Sequence, residues 1–424
     1  MNYELKNRYN TAMLPGGLRV IHLASPSPVV YCGYAVNAGT RDELPGEEGM
    51  AHFCEHLTFK GTARRRPIQI LSALERVGGD LNAFTGKEDT VYHAAILRDH
   101  VARAVDLLTD IVFHSTYPQA EIDKEVEVIC DEIESYNDSP SELVYDEGEN
   151  AVFRGCALGH SILGEAPQLR TYTTAHATAF TRRLYRPDNA VFFAYGDISF
   201  ARLTAMLRRA HGLPPTAPLL PCPAAADIAL RNRRAAPLAP YTPTEGVREM
   251  QTHQTHVMLA TRSYAMADPR RMALALANNL LGGPAMSARL NLSLRERNAL
   301  VYTVESFTTS YGDTGLWGIY FGCDPHDTSR CLRLVRRELD RLMRQPLSPS
   351  QLAAAKRQMK GQIGIALDSR ESFALDFAKQ FLHYGTEKDM DTLFARLDAV
   401  TADDIQSVAA DLFAPEQLTS MTIR

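Results

Sequence analysis

Three polar side chains packed into five residues restrict this chain more than anything else in it. His52-Phe53-Cys54-Glu55-His56 sets two imidazoles four positions apart with a carboxylate between them. On a helix each residue advances by about 100°, so His52 and His56 project from nearly one side, one turn apart. Glu55 falls on the flank of that face and Cys54 on the opposite side. The flanking Gly49-Met50-Ala51 and Leu57-Thr58-Phe59 are small or apolar, which predicts a largely buried helix. An unpaired polar group is costly in such surroundings. A divalent metal ion carrying an activated water would satisfy both imidazoles and the carboxylate together.

A zinc ion that keeps one position open for water takes three protein ligands, so the two imidazoles need a partner. Residues 119–136 read as an acidic amphipathic helix, with Ile122, Val126, Ile129 and Ile133 recurring at helical spacing. Glu125 and Glu132 lie seven apart on one stripe of it, and either could reach a metal. The other charges of that helix are expected to face water.

These residues resemble the signature of the pitrilysin/insulinase-type metallopeptidases, the inverzincins, in which H-x-x-E-H is followed by a distant glutamate. Glu132 stands 76 positions after His56, at the place of that glutamate. The resemblance extends to Gly78-Gly79, to Asn82-Ala83-Phe84-Thr85, to Tyr185-Arg186-Pro187-Asp188-Asn189 and to Gly196-Asp197. Downstream, Leu281-Gly282-Gly283, Ser287-Ala288-Arg289-Leu290, Leu294-Arg295-Glu296 and Tyr302 are similar to the family's C-terminal motif.

The resemblance implies one zinc ion per chain, held by His52, His56 and Glu132, with Glu125 supporting the site without binding the metal. Glu55 would then serve as general base, because a fourth protein ligand would keep water out. In the family motif an Arg and a Tyr seven apart contact substrate, which points to Arg295 and Tyr302. The segment from Asp80 to Thr85 looks like an edge strand that receives an extended peptide, with Asn82, Ala83 and Phe84 as contacts. The implied activity is a zinc-dependent endopeptidase acting on peptides or unfolded segments inside a closed chamber. At 424 residues the chain is similar to the short family members, expected to pair as a homodimer in which the Arg/Tyr pair reaches the zinc site of the other subunit. The competing readings are a heterodimer like the processing peptidase of mitochondria, a non-catalytic peptide-binding subunit, and a zinc hydrolase for a substrate other than peptides.

The composition narrows the remaining classes. The 45 basic and 50 acidic residues leave a net charge of −5, which gives no footing for nucleic-acid binding. The clusters Arg64-Arg65-Arg66 and Arg231-Asn232-Arg233-Arg234 are short enough to be local surface. No run approaches the ~18 apolar residues of a membrane helix, and no apolar stretch follows Asn2 to Arg8 as in a signal peptide. Seven cysteines, an odd number without a C-x-x-C pair, read as reduced thiols in the cytoplasm.

Eight prolines fall between Pro214 and Pro243, so that segment is the expected linker. It separates residues 1–213, a zinc-binding catalytic domain, from residues 244–424, a second, metal-free domain. Strand-like runs at 18–23, 29–36, 80–97 and 190–195 alternate with helical ones in the first part. The second repeats that order, with a strand at 254–260, a helix at 270–281, a hairpin at 300–322 and helices at 328–343 and 348–365. Ala275-Leu276-Ala277-Asn278-Asn279, the match to the zinc helix, carries no ligand set. The fold expected from this order and the resemblance is α+β, two similar domains, each a mostly antiparallel sheet with helices packed on it. His22, His93, His100, His160, His253 and His256 have no ligand pattern, and Cys54 is expected to pack as a small apolar residue.

Overall fold

Strands rich in β-branched and aromatic residues assemble into two separate sheets, each in its own compact unit. The structure, a computed structural model, describes residues 9–232 and 238–424; the leader reading at Asn2 to Arg8 and the basic pair Arg233-Arg234 lie outside them. The first sheet consists of β1 (Tyr9–Met13), β2 (Arg19–Ala24), β3 (Val29–Val36), β4 (Asp80–Thr85), β5 (Thr90–Leu97) and β6 (Ala190–Gly196), in the order β1-β2-β6-β3-β5-β4. The second consists of β7 (Glu245–Arg248), β8 (Thr255–Ser263), β9 (Val301–Ser310), β10 (Gly315–Cys323) and β11 (Thr419–Ile423), in the order β7-β11-β8-β10-β9. With β1 set aside, the two orders match strand for strand. In each sheet one pair is parallel, β2 with β6 and β7 with β11, and the rest are antiparallel. The α+β class and the repeated plan are therefore present in the fold.

Strand β6 shows what such a sheet requires. Ala190-Val191-Phe192-Phe193-Ala194 is apolar at every position and buried at every position, so both faces of the sheet must be covered. On one face Val20, Tyr34, Tyr92 and Phe192 join a core with the helices Met50–Thr58 and Val101–His114. On the other face Ile21, Leu23, Ala35, Val91, Val191 and Phe193 meet Phe373, Ala374, Phe377, Ala378, Phe381 and Leu382. Those six residues form one stripe of the helix Arg370–Tyr384. Its last turn is finished by the buried Arg19, which donates to the Phe381 and Leu382 carbonyls at 2.7 and 2.9 Å. Carbonyls there have no partner within the helix, and Gly385 at φ +64° ends it in the left-handed region.

The second sheet repeats the arrangement. Val257, Trp317, Ile319 and Phe321 face a core built with the helices Arg271–Gly282, Thr328–Arg344 and Ala402–Leu412. Met258, Ala260, Leu316 and Tyr320 on the opposite face meet Leu143, Val144 and Val152 of the helix Pro140–Val152. Gly148 of that helix rests directly on the Met258 sulfur, where a Cβ has no room.

Each sheet thus draws one covering helix from the other half of the sequence. The first unit comprises the described residues up to Ile133, Ser161–Asn232 and Ala366–Asp389; the second comprises Glu134–His160, the described residues from 238 to Ile365, and Met390–Arg424. These units interleave in sequence, unlike the stretches 1–213 and 244–424. The proline-rich segment is partly structured, since Leu220 pairs with Met13 of β1 through two backbone bonds of 2.8 Å. Of the basic residues near the N-terminus, Arg64 and Arg65 are tied to Asp106, which fits local surface. Among the described residues no helix is long and apolar enough to cross a membrane.

The turn between β4 and β5 connects this architecture to the site. Asp89, only 7% exposed, is held by Lys379 Nζ at 2.8 Å and His383 Nε2 at 2.9 Å, both on the helix Arg370–Tyr384. Burial alone would raise its pKa, but these partners outweigh burial and pull it down to about 2. Asp89→Asn is therefore expected to cost about 2 kcal/mol by removing the charged acceptor shared by Lys379 and His383. The parent carboxylate contributes its full stabilisation above the unfolded value of about 3.9 and loses it as pH falls towards 2. Urea unfolding of parent and variant should differ at pH 6, differ less at pH 3 and converge as pH approaches 2; a constant difference across that range would contradict the assignment.

Candidate metal centre

The helix Met50–Thr58 begins at Gly49, which sits at φ +87°. A Cβ there would stand 2.8 Å from the Cα of Gly164, so only glycine fits this entry. The Glu43 carboxylate caps the helix, accepting from Gly49 N at 3.0 Å and Ala51 N at 2.8 Å, which satisfies N–H groups the helix cannot and suits its positive end. Met50, Ala51, Phe53, Cys54 and Leu57 are fully buried. Cys54 faces the Ala177 carbonyl at 3.9 Å, and burial pushes its thiol pKa well up. It packs as an apolar residue.

The second helix, Gln119–Asn137, is anchored by Ile122, Val126, Ile129 and Cys130. That registration brings both of its candidate glutamates to the imidazoles, on different sides. Glu125 Oε1 lies 3.1 Å from His56 Nδ1, and Lys60 Nζ lies 2.6 Å from Glu125 Oε2. Glu132 faces the other ring nitrogens, with Oε1 3.8 Å from His52 Nε2 and Oε2 3.4 Å from His56 Nε2. His52, His56 and Glu132 offer one ligand atom each, all within 4.8 Å of one another, and form the one such group of His, Cys, Asp or Glu among the described residues. Tetrahedral ligands about 2.0–2.2 Å from a zinc ion stand roughly 3.3–3.6 Å apart, so the three atoms fit that ion with little movement.

The electrostatics agree with a ligand set. Burial, and then the neighbouring His56, lowers the pKa of His52 to about 3, so His52 is in the neutral form that binds metals. Burial would also lower His56, but its bond to Glu125 and the nearby Glu132 and Glu55 carboxylates raise it above the ordinary value. Glu125 is hydrogen-bonded to the ring nitrogen of His56 that faces away from Glu132, the place a carboxylate takes behind a metal-bound imidazole. The Glu55 carboxyl is raised by burial, against a hydrogen bond from Thr85 Oγ1 to Oε2 at 2.5 Å.

The remaining candidates lie on other elements. Asn82, Ala83 and Phe84 are in β4, which among the described residues pairs with β5 alone and forms an edge of the first sheet. Asn82 Oδ1 accepts from the Ala83 N–H at 2.9 Å. Arg295 and Tyr302 belong to the second unit. Arg295 sits in a π-helical turn, Asn291–Glu296, and Ala299 just after it is held at φ +51°. Wide turns and left-handed non-glycine residues are strained and concentrate at functional sites. The Arg295 guanidinium lies 5.6 Å from the centre of the Tyr302 ring, which is 81% exposed. Sequence reasoning missed Glu43, Lys60 and Thr85. Lys60 carried a readable signal, four positions after His56 and just past the end of its helix.

Comparisons with known proteins point one way. Residues 19–166 match the insulinase (peptidase family M16) profile, and residues 171–359 match the peptidase M16 inactive domain. An uncharacterized zinc protease of Streptomyces coelicolor is 33% identical over 94% of this chain and 86% of its own. The mitochondrial-processing peptidase subunit beta of Pongo abelii is 31% identical over 93% of this chain and 80% of its own. The crystal structure of a protease from Helicobacter pylori shares the fold, with a TM-score of 0.86 over 99% of this chain and 100% of that one, at 20% identity.

If Glu125 orients His56 for a metal, Glu125→Gln should weaken zinc binding by about 10- to 100-fold. Competition against a chromophoric chelator measures this, and unchanged affinity would remove Glu125 from the site.

Proposed function

The chain belongs to the insulinase family of peptidases, and from that footing we propose that it is a zinc-dependent endopeptidase cutting flexible peptides or unfolded segments. The observation that carries this reading is the convergence of His52, His56 and Glu132 with Glu55 beside them. The first three side chains would hold one zinc ion per chain. When bound, zinc supplies Lewis-acid chemistry, polarising a carbonyl and lowering the pKa of a bound water towards ~7. Glu55, whose burial favours proton uptake, accepts the proton from the attacking water. It then passes that proton to the amine leaving group. Arg295 and Tyr302 present donors for the substrate and for the oxyanion that develops on it.

Strand β4 is the element on which we place the substrate. Its outer edge lets an extended peptide add as a further strand through backbone hydrogen bonds, with Asn82, Ala83 and Phe84 as neighbours. Such binding reads backbone conformation, so selectivity favours unstructured segments over folded ones. Seven cysteines without a C-x-x-C pair suit the cytoplasm.

We further propose a homodimer that closes a chamber, with Arg295 and Tyr302 of one subunit serving the metal site of its partner. A heterodimer is the second reading, favoured by the similarity to a relative described as a subunit. Mass measurement on the purified chain, coupled to a peptidase assay, separates the two.

Digestion of an unstructured peptide mixture, read by mass spectrometry, tests the activity directly. Cleavage should vanish with a zinc chelator and return with added zinc. Glu55→Gln is expected to retain zinc and to lose turnover by about 10²–10⁴-fold; undiminished cleavage would overturn the base assignment. Mixing Glu55→Gln with Arg295→Ala subunits should restore activity in hybrids, because one hybrid site has both groups intact. Hybrids that form yet remain inactive would refute the shared site.

A further inference from the structure

Hairpin tips ordinarily project into water and carry polar residues for that reason. The tip joining β4 to β5 does the opposite: Lys87, Glu88 and Asp89 are all buried. Burying charge is expensive unless each group is paired, and this turn is paired on several sides. Arg41 Nη1 donates to Glu88 Oε1 at 2.7 Å, and Arg41 N donates to the Lys87 carbonyl at 2.8 Å. Thr40 N donates to the Gly86 carbonyl at 3.2 Å. Asp89 is clamped by Lys379 and His383, and the Lys379 ammonium also lies 4.7 Å from the centre of the Phe84 ring. The backbone of the turn is closed by Gly86 N donating to the Asp89 carbonyl at 2.7 Å.

The two residues that enter and leave this turn are threonines in register, Thr85 and Thr90. Thr90 is buried and donates to the Ala38 carbonyl at 2.8 Å. Thr85 Oγ1 stands 3.5 Å from Thr90 Oγ1 and donates to Glu55 Oε2 at 2.5 Å. A short hydroxyl–carboxylate bond of this kind is among the stronger neutral-to-ionic contacts. It occupies one oxygen of Glu55 and restricts rotation of the carboxylate, so that the second oxygen is the one left to take a proton.

We propose that Thr85 is a positioning residue for Glu55, and that the buried, clamped turn behind it holds Thr85 in place. This rests on the reading of Glu55 as the base. Thr85 also ends the strand whose residues 82–84 are proposed to receive the peptide. Base and bound substrate are then referred to one rigid element, which fixes the proton acceptor relative to the scissile bond. A displacement of about 1 Å in such a relation costs up to about a hundredfold in rate. The clamp comes from a helix that neither binds metal nor contributes to β4, so activity should depend on residues remote from the chemistry.

The test compares Thr85→Val, which keeps the shape and removes the hydroxyl, with Thr85→Ser, which keeps the hydroxyl. Thr85→Val should lower kcat by between about tenfold and a hundredfold, with KM within about twofold and a full complement of zinc. Thr85→Ser should recover most of the loss. A crystal structure of zinc-loaded Thr85→Val should show the Glu55 side chain moved or divided between conformers. His383→Leu should lower kcat in the same direction, by between about twofold and thirtyfold, again with zinc retained. Parental kcat in Thr85→Val beside an active parent, an unmoved Glu55, or a loss that Thr85→Ser does not repair would overturn the inference alone. Parental kcat in His383→Leu would overturn the role of the clamp. A parent without chelator-sensitive turnover would overturn the functional reading and this inference with it.

Discussion

A sheet whose strands are apolar on both sides cannot leave either side to water, and the rest of this structure follows from that constraint. Each large side chain removed from water contributes about 1.5–3 kcal/mol, and the helix Arg370–Tyr384 brings three phenylalanines to one face of the first sheet. Once it lies there, Lys379 and His383 reach Asp89, the turn before β5 is drawn inward, and the register of β4 is set. The opposite face is then free to carry the helix Met50–Thr58, whose own apolar side chains press into that core while its two imidazoles face away from it.

Two histidines one turn apart have very different surroundings, and the difference is what makes them useful together. His52 is kept neutral by burial, while His56 is aimed by Glu125 and stabilised by carboxylates. Lys60 on Glu125 completes a line of alternating charge that ends at the metal position. The seven-residue separation of Glu125 and Glu132 places one carboxylate behind a ring and the other in front of the pair. A single helix thus carries both a candidate ligand and the carboxylate hydrogen-bonded to another candidate ligand.

The candidate ligands were partly legible because their signal is local: i, i+4 spacing brought out His52 and His56 and a helical stripe brought out Glu125 and Glu132, while the preference for Glu132 came from the family resemblance. The main strands and helices were legible for the same reason. The exchange of covering helices was not. Periodicity at Phe373, Phe377 and Phe381 says that a face is buried, but it does not say against which sheet. The proline-rich segment marks a change in composition, and the first unit's middle stretch ends within it at Asn232, while Ile133 and Ala366, at other passages between units, carry no such mark. Strands β1, β7 and β11 are four or five residues long, too short for alternation to emerge. The Thr85–Glu55 bond joins residues 30 apart through a hairpin register that no spacing rule encodes.

The reciprocal helix exchange has a consequence during synthesis. The ribosome completes the strands of the first sheet when β6 is made, yet the helix that seals their outer face is encoded nearly half a chain later. At about 5–20 residues per second, that face stays bare for on the order of ten to forty seconds. The helix Pro140–Val152 has the converse problem, emerging long before the sheet it covers. Newly made chains therefore expose adhesive surface at both stages, and chaperone supply should govern how much of this protein matures.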